Sequence, residues 1–231
     1  MPSRADANPS TPAATVVVLR DGPASVEVLM LRRNSVGAFG GMWVFPGGRV
    51  DPGDGETGGG AADELATARR AAAREAEEEA GLAIAPADLV PFSHWVPPPQ
   101  APRRFATWFF LAGAPDAADV VVDGNEIHEH RWMEPADALR RRDAGEIELA
   151  PPTWVTLWRL SHATDVKAAI EEAARVHPEH FETHMGRAAN GEVVAVWHGD
   201  AGYEDGNIDR PGPRHRLLML PSGWRYERNT T

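Results

Sequence analysis

Arg74-Glu75-Ala76-Glu77-Glu78-Glu79-Ala80-Gly81-Leu82 packs four glutamates into nine residues. It ends a run from about Ala61 to Ala80 built from Ala, Glu and Arg, all strong helix formers, and Gly81 supplies the stop. On that helix Glu75, Glu78 and Glu79 stand at i, i+3 and i+4, so their carboxylates share one face. Like charges at this spacing cost roughly 0.2–0.5 kcal/mol per pair. They also lie in the last turns, where the helix dipole is already negative. Helix stability alone would place Lys or Arg there. A bound divalent cation reverses the balance, because hard carboxylate oxygens suit Mg²⁺, which binds through few carboxylates plus substrate phosphates.

Upstream, the apolar run Met42 to Phe45 leads into Pro46-Gly47-Gly48, where the lack of side chains lets backbone approach a ligand closely. Gly53 to Gly60 holds five glycines and reads as a flexible loop. The β-branched stretches Ala14–Leu19 and Val26–Leu31 flank Asp21-Gly22-Pro23, a hairpin pattern. Further strands are expected at Leu89–Trp95, Ala106–Leu111 and Glu129–Met133, with a helix from Glu134-Pro135 to about Arg142. After Pro152 a helix carries Trp154, Leu157, Trp158 and Leu160 on one face. Ser161 is read as a cap, with an Ala/Glu-rich helix following to Val176. Short strands at Val193–Trp197 and Leu217–Leu220 complete the tail. Strands first, one long helix, then more strands and helices give an α+β or mixed α/β architecture.

The 231 residues exceed the usual domain of ~100–150, so one elaborated domain is expected. Residues 1–12 read as a disordered leader, 13–176 as the main domain with an inserted loop at about 55–73, and 177–231 as an extension packed on it. With 23 basic against 34 acidic residues the net charge is −11, which disfavours a uniformly basic nucleic-acid clamp. Cysteine is absent, excluding disulfides, thiolate zinc sites and a cysteine nucleophile. No apolar run approaches the ~18–20 residues of a membrane span, and no signal peptide is visible, so a cytoplasmic location is expected.

Together, FPGG and REAEEEAGL resemble the signature of the Nudix hydrolases, G-x5-E-x7-R-E-U-x-E-E-x-G-U with U aliphatic. Gly48 matches the opening glycine, and Asp54 stands where the family has Glu. Arg74, Glu75, Ala76, Glu78, Glu79, Gly81 and Leu82 match the second half without a gap. Residues 55–73 separate the halves, nineteen where the pattern has seven. This split motif resembles the branch containing the peroxisomal coenzyme A diphosphatase of mammals and its bacterial relatives. Other segments resemble it too: Leu31-Arg32-Arg33, Arg104-Phe105-Ala106-Thr107 with Phe109-Phe110, Glu129-His130-Arg131-Trp132, and Pro151-Pro152-Thr153. In the coenzyme A signature before the glycine turn, Arg33 and Gly41 fit, while Ala38 stands where an arginine is usual.

The resemblance implies a Nudix-like α/β/α sandwich with a mixed central sheet, an added helical segment and a C-terminal extension. It implies Mg²⁺- or Mn²⁺-dependent hydrolysis of a nucleoside diphosphate linked to another moiety, breaking a phosphoanhydride bond by water attack. Coenzyme A or acyl-coenzyme A is the first substrate expected; ADP-ribose, NADH and nucleotide sugars are alternatives. Glu75 and Glu79 are the first metal ligands, Glu78 is a ligand or the base, and a backbone carbonyl near Gly47–Gly48 completes the shell. Arg74 orients one of these carboxylates. A downstream acid, Glu126 or Glu129, assists. Arg33, Arg49 and Arg104 would contact phosphates, and Trp95 or Trp108 would stack on a base.

Competing readings are a Nudix-fold nucleotide sensor and an acidic helix that meets a basic partner. The first predicts a lost carboxylate, yet all three are present; the second leaves Pro46-Gly47-Gly48 without a use. His128 and His130 flank Glu129 on a strand, which puts both imidazoles on the face opposite the acid. His177, His180 and His184 fall in an expected solvated linker. The insertion and the tail are long enough to cover the site or to build a homodimer contact.

Overall fold

The computed structural model describes residues 9–34, 40–55, 63–115, 119–122 and 124–229. Most of the leader, the glycine run 56–60 and Ala38 lie outside them. The chain gathers into two compact units, Pro12–His94 with Thr107–Glu179, and Thr11 and Trp95–Ala106 with the residues from His180 onward.

In the first unit, β1 (Thr11–Asp21) and β2 (Val26–Arg33) form the expected hairpin, with Leu19 opposite Val28. Ala13 to Leu19 are buried without alternation, the mark of a strand covered on both faces. The short strands β3 (Trp43–Val44) and β4 (Gly47–Arg49) pair antiparallel to β2 and β1. Next come β5 (Val90–Val96), β6 (Phe105–Gly113) and β7 (Ile127–Met133), the last antiparallel to β2. The order runs β3-β2-β1-β6-β5. Thr11 N donates to Arg104 O at one end of the β1–β6 pair and Ala114 N to Leu19 O at the other, so these strands are parallel and the sheet is mixed.

One face of the sheet carries α1 (Glu64–Ala80), which presents Ala68, Ala71, Ala72, Ala76 and Ala80 to Val16, Val18, Leu29, Leu31 and Phe110. Small side chains let the helix axis lie close to the sheet. Asp63 caps its start by accepting from Leu65 N at 3.1 Å. Gly81 closes the other end with φ +68°, while Gly81 N donates to Glu77 O and Leu82 N to Ala76 O. The helix expected from about Ala61 thus begins at Glu64, so residues 64–73 of the expected insertion are helical. Opposite β2 lies α2 (Pro135–Asp143), packed on α3 (Pro151–Leu160). The α/β/α layering matches expectation.

The helix α4 (Val166–Arg175) departs from it at its start. Asp165, not Ser161, is its cap, accepting from Ala168 N at 2.8 Å, and Asp21 accepts from Val166 N at 2.8 Å. Ser161 instead ends α3, its hydroxyl donating to Trp158 O.

The second unit holds five strands where two were expected. β8 (Glu179–Glu182) runs beside the Trp95–Val96 end of β5, which belongs to this unit, and Thr183 N donates to Val96 O. β9 (His184–Arg187), β10 (Val193–Val196), β11 (Arg214–Leu220) and β12 (Gly223–Asn229) form an antiparallel meander. The supposed histidine linker is therefore largely strand. Its core is aromatic: Trp95 stacks on Phe181 at 3.8 Å, and Trp197 meets both edge-on. Arg216 and Asp200, both buried, pair through two contacts of 2.7 and 2.6 Å, and His215 N and Gly202 N also donate to the aspartate. No helix among the described residues is long and apolar enough to cross a membrane.

The close seat of α1 is testable. Ala72→Leu should lower stability by about 1–3 kcal/mol through overpacking, read as a lower urea midpoint with an unchanged slope. An unchanged midpoint would mean that α1 does not sit tightly on the sheet.

Candidate functional site

The last two turns of α1 meet the Gly47-Gly48 strand, and Arg74 binds the two together. Its Nε and Nη2 reach the two oxygens of Asp54 at 3.1 Å each. Nη1 donates to Glu75 and Glu78, both at 2.9 Å, and Nη2 also donates to Arg49 O at 3.0 Å. The expected orienting role thus extends to three carboxylates and one backbone carbonyl. Hydrogen bonding to Asp54 is the main cause that raises the Arg74 pKa, so the group stays cationic at any working pH.

Asp54, in the position of the family glutamate, is buried in a 3-10 turn over Pro52–Asp54 and accepts from Asp51 N at 2.8 Å. Burial raises its pKa, but hydrogen bonds from Arg74 and Asp51 N outweigh that and hold it below the usual carboxylate range. Arg70 ties the same turn to α1 by donating to Asp54 O at 2.5 Å. Residue 54 is thereby an anchor for Arg74, a task the shorter acid performs because the turn carries it up to the helix.

At Gly47 an added Cβ would lie 2.6 Å from Ala14 O and from Thr15, so only glycine fits there. At Gly48 an added Cβ would overlap the Glu75 carboxylate, which would have to swing away. This close approach lets Gly47 N donate to Glu79 Oε2 at 2.9 Å. Glu79 is buried, and burial pushes its pKa up to about 7 against help from Gly47 N–H and Arg33. Burial likewise raises Glu75, with Arg74 partly offsetting it. Glu78 is the exposed member, its side chain 59% accessible.

Arg33, at the end of β2, lies 3.8 Å from the other Glu79 oxygen and pairs with Glu126. The expected catalytic residue Glu129 is directed elsewhere. It sits opposite Arg32 on the other face of the sheet and is held by Arg32 and Arg131. Strand alternation at Arg32 and Arg33 explains the difference: one side chain faces the glutamates and the other faces away. Of the two downstream acids, Glu126 reaches the cluster.

One further expectation is corrected: Trp95 is 3% exposed and stacked inside the second unit's core, so it offers no face to a base. Arg104, of the same unit, has its guanidinium bonded to Pro97 O at 3.1 and 3.3 Å. Trp108 stacks on His94 at 4.5 Å and donates to Glu64 at the far end of α1. Arg49 contributes its carbonyl to Arg74. Among the described residues no three histidines or acids already converge as a metal cage. The cause is visible: Glu75 and Glu78 turn to Arg74, and Glu79 to Gly47 N–H. The donor set still fits a hard divalent cation, with the carboxylates of Glu75 and Glu79 beside the Gly47–Gly48 backbone and Glu78 next to them on the same helix face.

Glu79 also makes stability depend on pH in metal-free protein. Its folded pKa lies above the unfolded 4.5, so the stability it contributes is fully present below about 4.5 and lost as pH rises towards 7. Relative to Glu79→Gln, metal-free parent protein should therefore lose roughly 3 kcal/mol between pH 4 and pH 8 in urea unfolding with EDTA. Parallel pH profiles for the two proteins would show that Glu79 is not held in a desolvated site.

Residues 9–153 match the NUDIX domain family. A Caenorhabditis elegans protein provisionally named nudix hydrolase 7 is 29% identical over 175 residues, covering 60% of this chain and 57% of that protein. The chain thus spans little more than half of that relative's length. The crystal structure of a NUDIX hydrolase from Alicyclobacillus acidocaldarius is similar at 27% identity and a TM-score of 0.63, over 71% of this chain and 96% of that one. The NUDIX domain of Shewanella oneidensis NrtR, complexed with ADP ribose, is similar in fold at 15% identity and a TM-score of 0.50, over 66% and 86%. Since the match takes in well over half of the chain, from β1 into α3 and including the glutamate helix, this protein belongs to the NUDIX family.

Proposed function

We propose that this chain is a divalent-cation-dependent diphosphate hydrolase that cleaves a phosphoanhydride bond in a nucleoside diphosphate linked to another moiety. The observation that carries this is the set Glu75, Glu78 and Glu79, gathered by Arg74 and Gly47 N–H against the Gly48 backbone. A Mg²⁺ or Mn²⁺ ion there would neutralise phosphate charge and orient the attacking water. Glu75 and Glu79 are the residues to hold it, with a backbone carbonyl at Gly47–Gly48. Glu78 is exposed enough to leave Arg74 and join them, or to take the proton from water. Arg74 would go on restraining the carboxylates, because its bonds to Asp54 use Nε and Nη2 while those to the glutamates use Nη1.

Coenzyme A or an acyl-coenzyme A is the substrate we favour, supported by the sequence segments shared with that branch, Leu31-Arg32-Arg33 among them. ADP-ribose, NADH and nucleotide sugars are the alternatives. Arg33 is the cation best situated for a substrate phosphate, because it lies beside Glu79.

A hydrolysis screen with Mg²⁺ and Mn²⁺ over coenzyme A, acyl-coenzyme A, NADH, ADP-ribose and nucleotide sugars tests this reading. Turnover should be highest on a coenzyme A compound and fall about 10²-fold or more in Glu78→Gln and in Glu79→Gln. Turnover that survives both substitutions contradicts the mechanism. Nucleotide binding with no cleavage of any diphosphate would favour a sensor instead.

A further inference from the structure

Glu79 has both oxygens engaged, one by an amide and the other by a cation. Oε2 accepts from Gly47 N at 2.9 Å, and Oε1 faces Arg33 Nη1 at 3.8 Å. The Arg33 guanidinium, 24% accessible, is shared with Glu126, whose side chain is 64% accessible. Its backbone is fixed from both sides. Arg33 N donates to Met42 O at 3.1 Å, and Gly41 N to Arg33 O at 3.2 Å. Next to it, Asn34 N donates to Glu126 O and Asn34 Nδ2 to Asn125 O, both at 2.8 Å. The β2–β7 register slips between Arg32 and Arg33, so Arg33 lies opposite Ile127 and the 124–126 turn is drawn over it. Backbone bonds thus keep one cation beside a buried carboxylate, with one exposed acid paired to that cation.

A buried carboxylate needs a compensating charge, and two cations do not share one oxygen without repulsion. From these contacts we propose that Arg33 is a positioning residue that acts as the internal counter-cation of Glu79 at Oε1, in competition with a divalent metal; were a metal held by Glu79, the guanidinium would be available to a substrate phosphate. Glu126 gives the released arginine an interim partner, so the guanidinium stays at the site's edge. This rests on the metal-dependent reading given above. It goes beyond a simple phosphate contact because it sets metal and arginine in competition for one carboxylate.

Competition and plain substrate contact predict opposite behaviour of the metal. In Arg33→Gln the Mn²⁺ affinity of the substrate-free protein, measured by the paramagnetic signal of free Mn²⁺, should tighten about 3- to 10-fold. KM for the best diphosphate substrate should rise about tenfold or more, as a charge-assisted contact is lost. Arg33→Lys should keep Mn²⁺ affinity near that of the parent, and Arg175→Gln, an exposed arginine on α4, should do the same as a control for net charge. Circular dichroism melts confirm that each variant is folded. Unchanged or weaker Mn²⁺ binding in folded Arg33→Gln overturns the proposal, even where hydrolysis by the parent upholds the metal reading. A parent protein that binds no Mn²⁺ overturns both.

Discussion

One guanidinium organises the functional end of this molecule. Arg74 joins a buried aspartate in a 3-10 turn, two glutamates on its own helix and a carbonyl of the glycine strand. Without that cation the final turns of α1 would carry Glu75, Glu77, Glu78 and Glu79 against an already negative helix end. Breaking a buried pair by removing one partner costs about 3–5 kcal/mol, because the remaining charge stays desolvated. Arg74 thus has a structural task that precedes any catalytic one. The geometry of Glu75 and Glu78, and the approach of Gly48, both follow from where it sits.

The sequence exposed this centre because its physical demands are local. Three carboxylates at i, i+3 and i+4 before a helix-ending glycine conflict with helix stability, and such a conflict calls for a cation. The need for glycine at Gly47 is likewise written in residue type. The first two strands of the first unit were legible as short β-branched and aliphatic runs around a turn signal, from Val16 to Leu19 and Val26 to Leu31. What was not legible depends on tertiary placement. Glu126 and Glu129 differ by three positions, and strand alternation at Arg32 and Arg33, with the register slip between them, leaves Glu126 paired with Arg33 and Glu129 with Arg32. Trp95 as a base-stacking face failed because a large aromatic side chain more often completes a core, here with Phe181 and Trp197.

The tail hid its strands for a related reason. In β12 apolar Trp224 and Tyr226 alternate with Arg225 and Glu227, a half-buried pattern that charge obscures. β8 and β9 carry histidines that invite a metal site, yet His184 stacks on Tyr203 at 4.3 Å and donates its Nδ1–H to the Tyr203 carbonyl at 3.1 Å. In the second unit the buried charges pair with each other as Arg216–Asp200. The net −11 of the chain acquires a local meaning in the first unit, where carboxylates outnumber the arginines that hold them.

The central claim is that the Arg74-bound glutamates form a cation platform. Anomalous diffraction from crystals soaked in Mn²⁺ tests it most directly. The account predicts a strong anomalous peak among Glu75, Glu78 and Glu79 beside the Gly47–Gly48 backbone, with Arg74 still bonded to Asp54. A peak elsewhere, or none while Glu75 and Glu78 stay on Arg74, would contradict it.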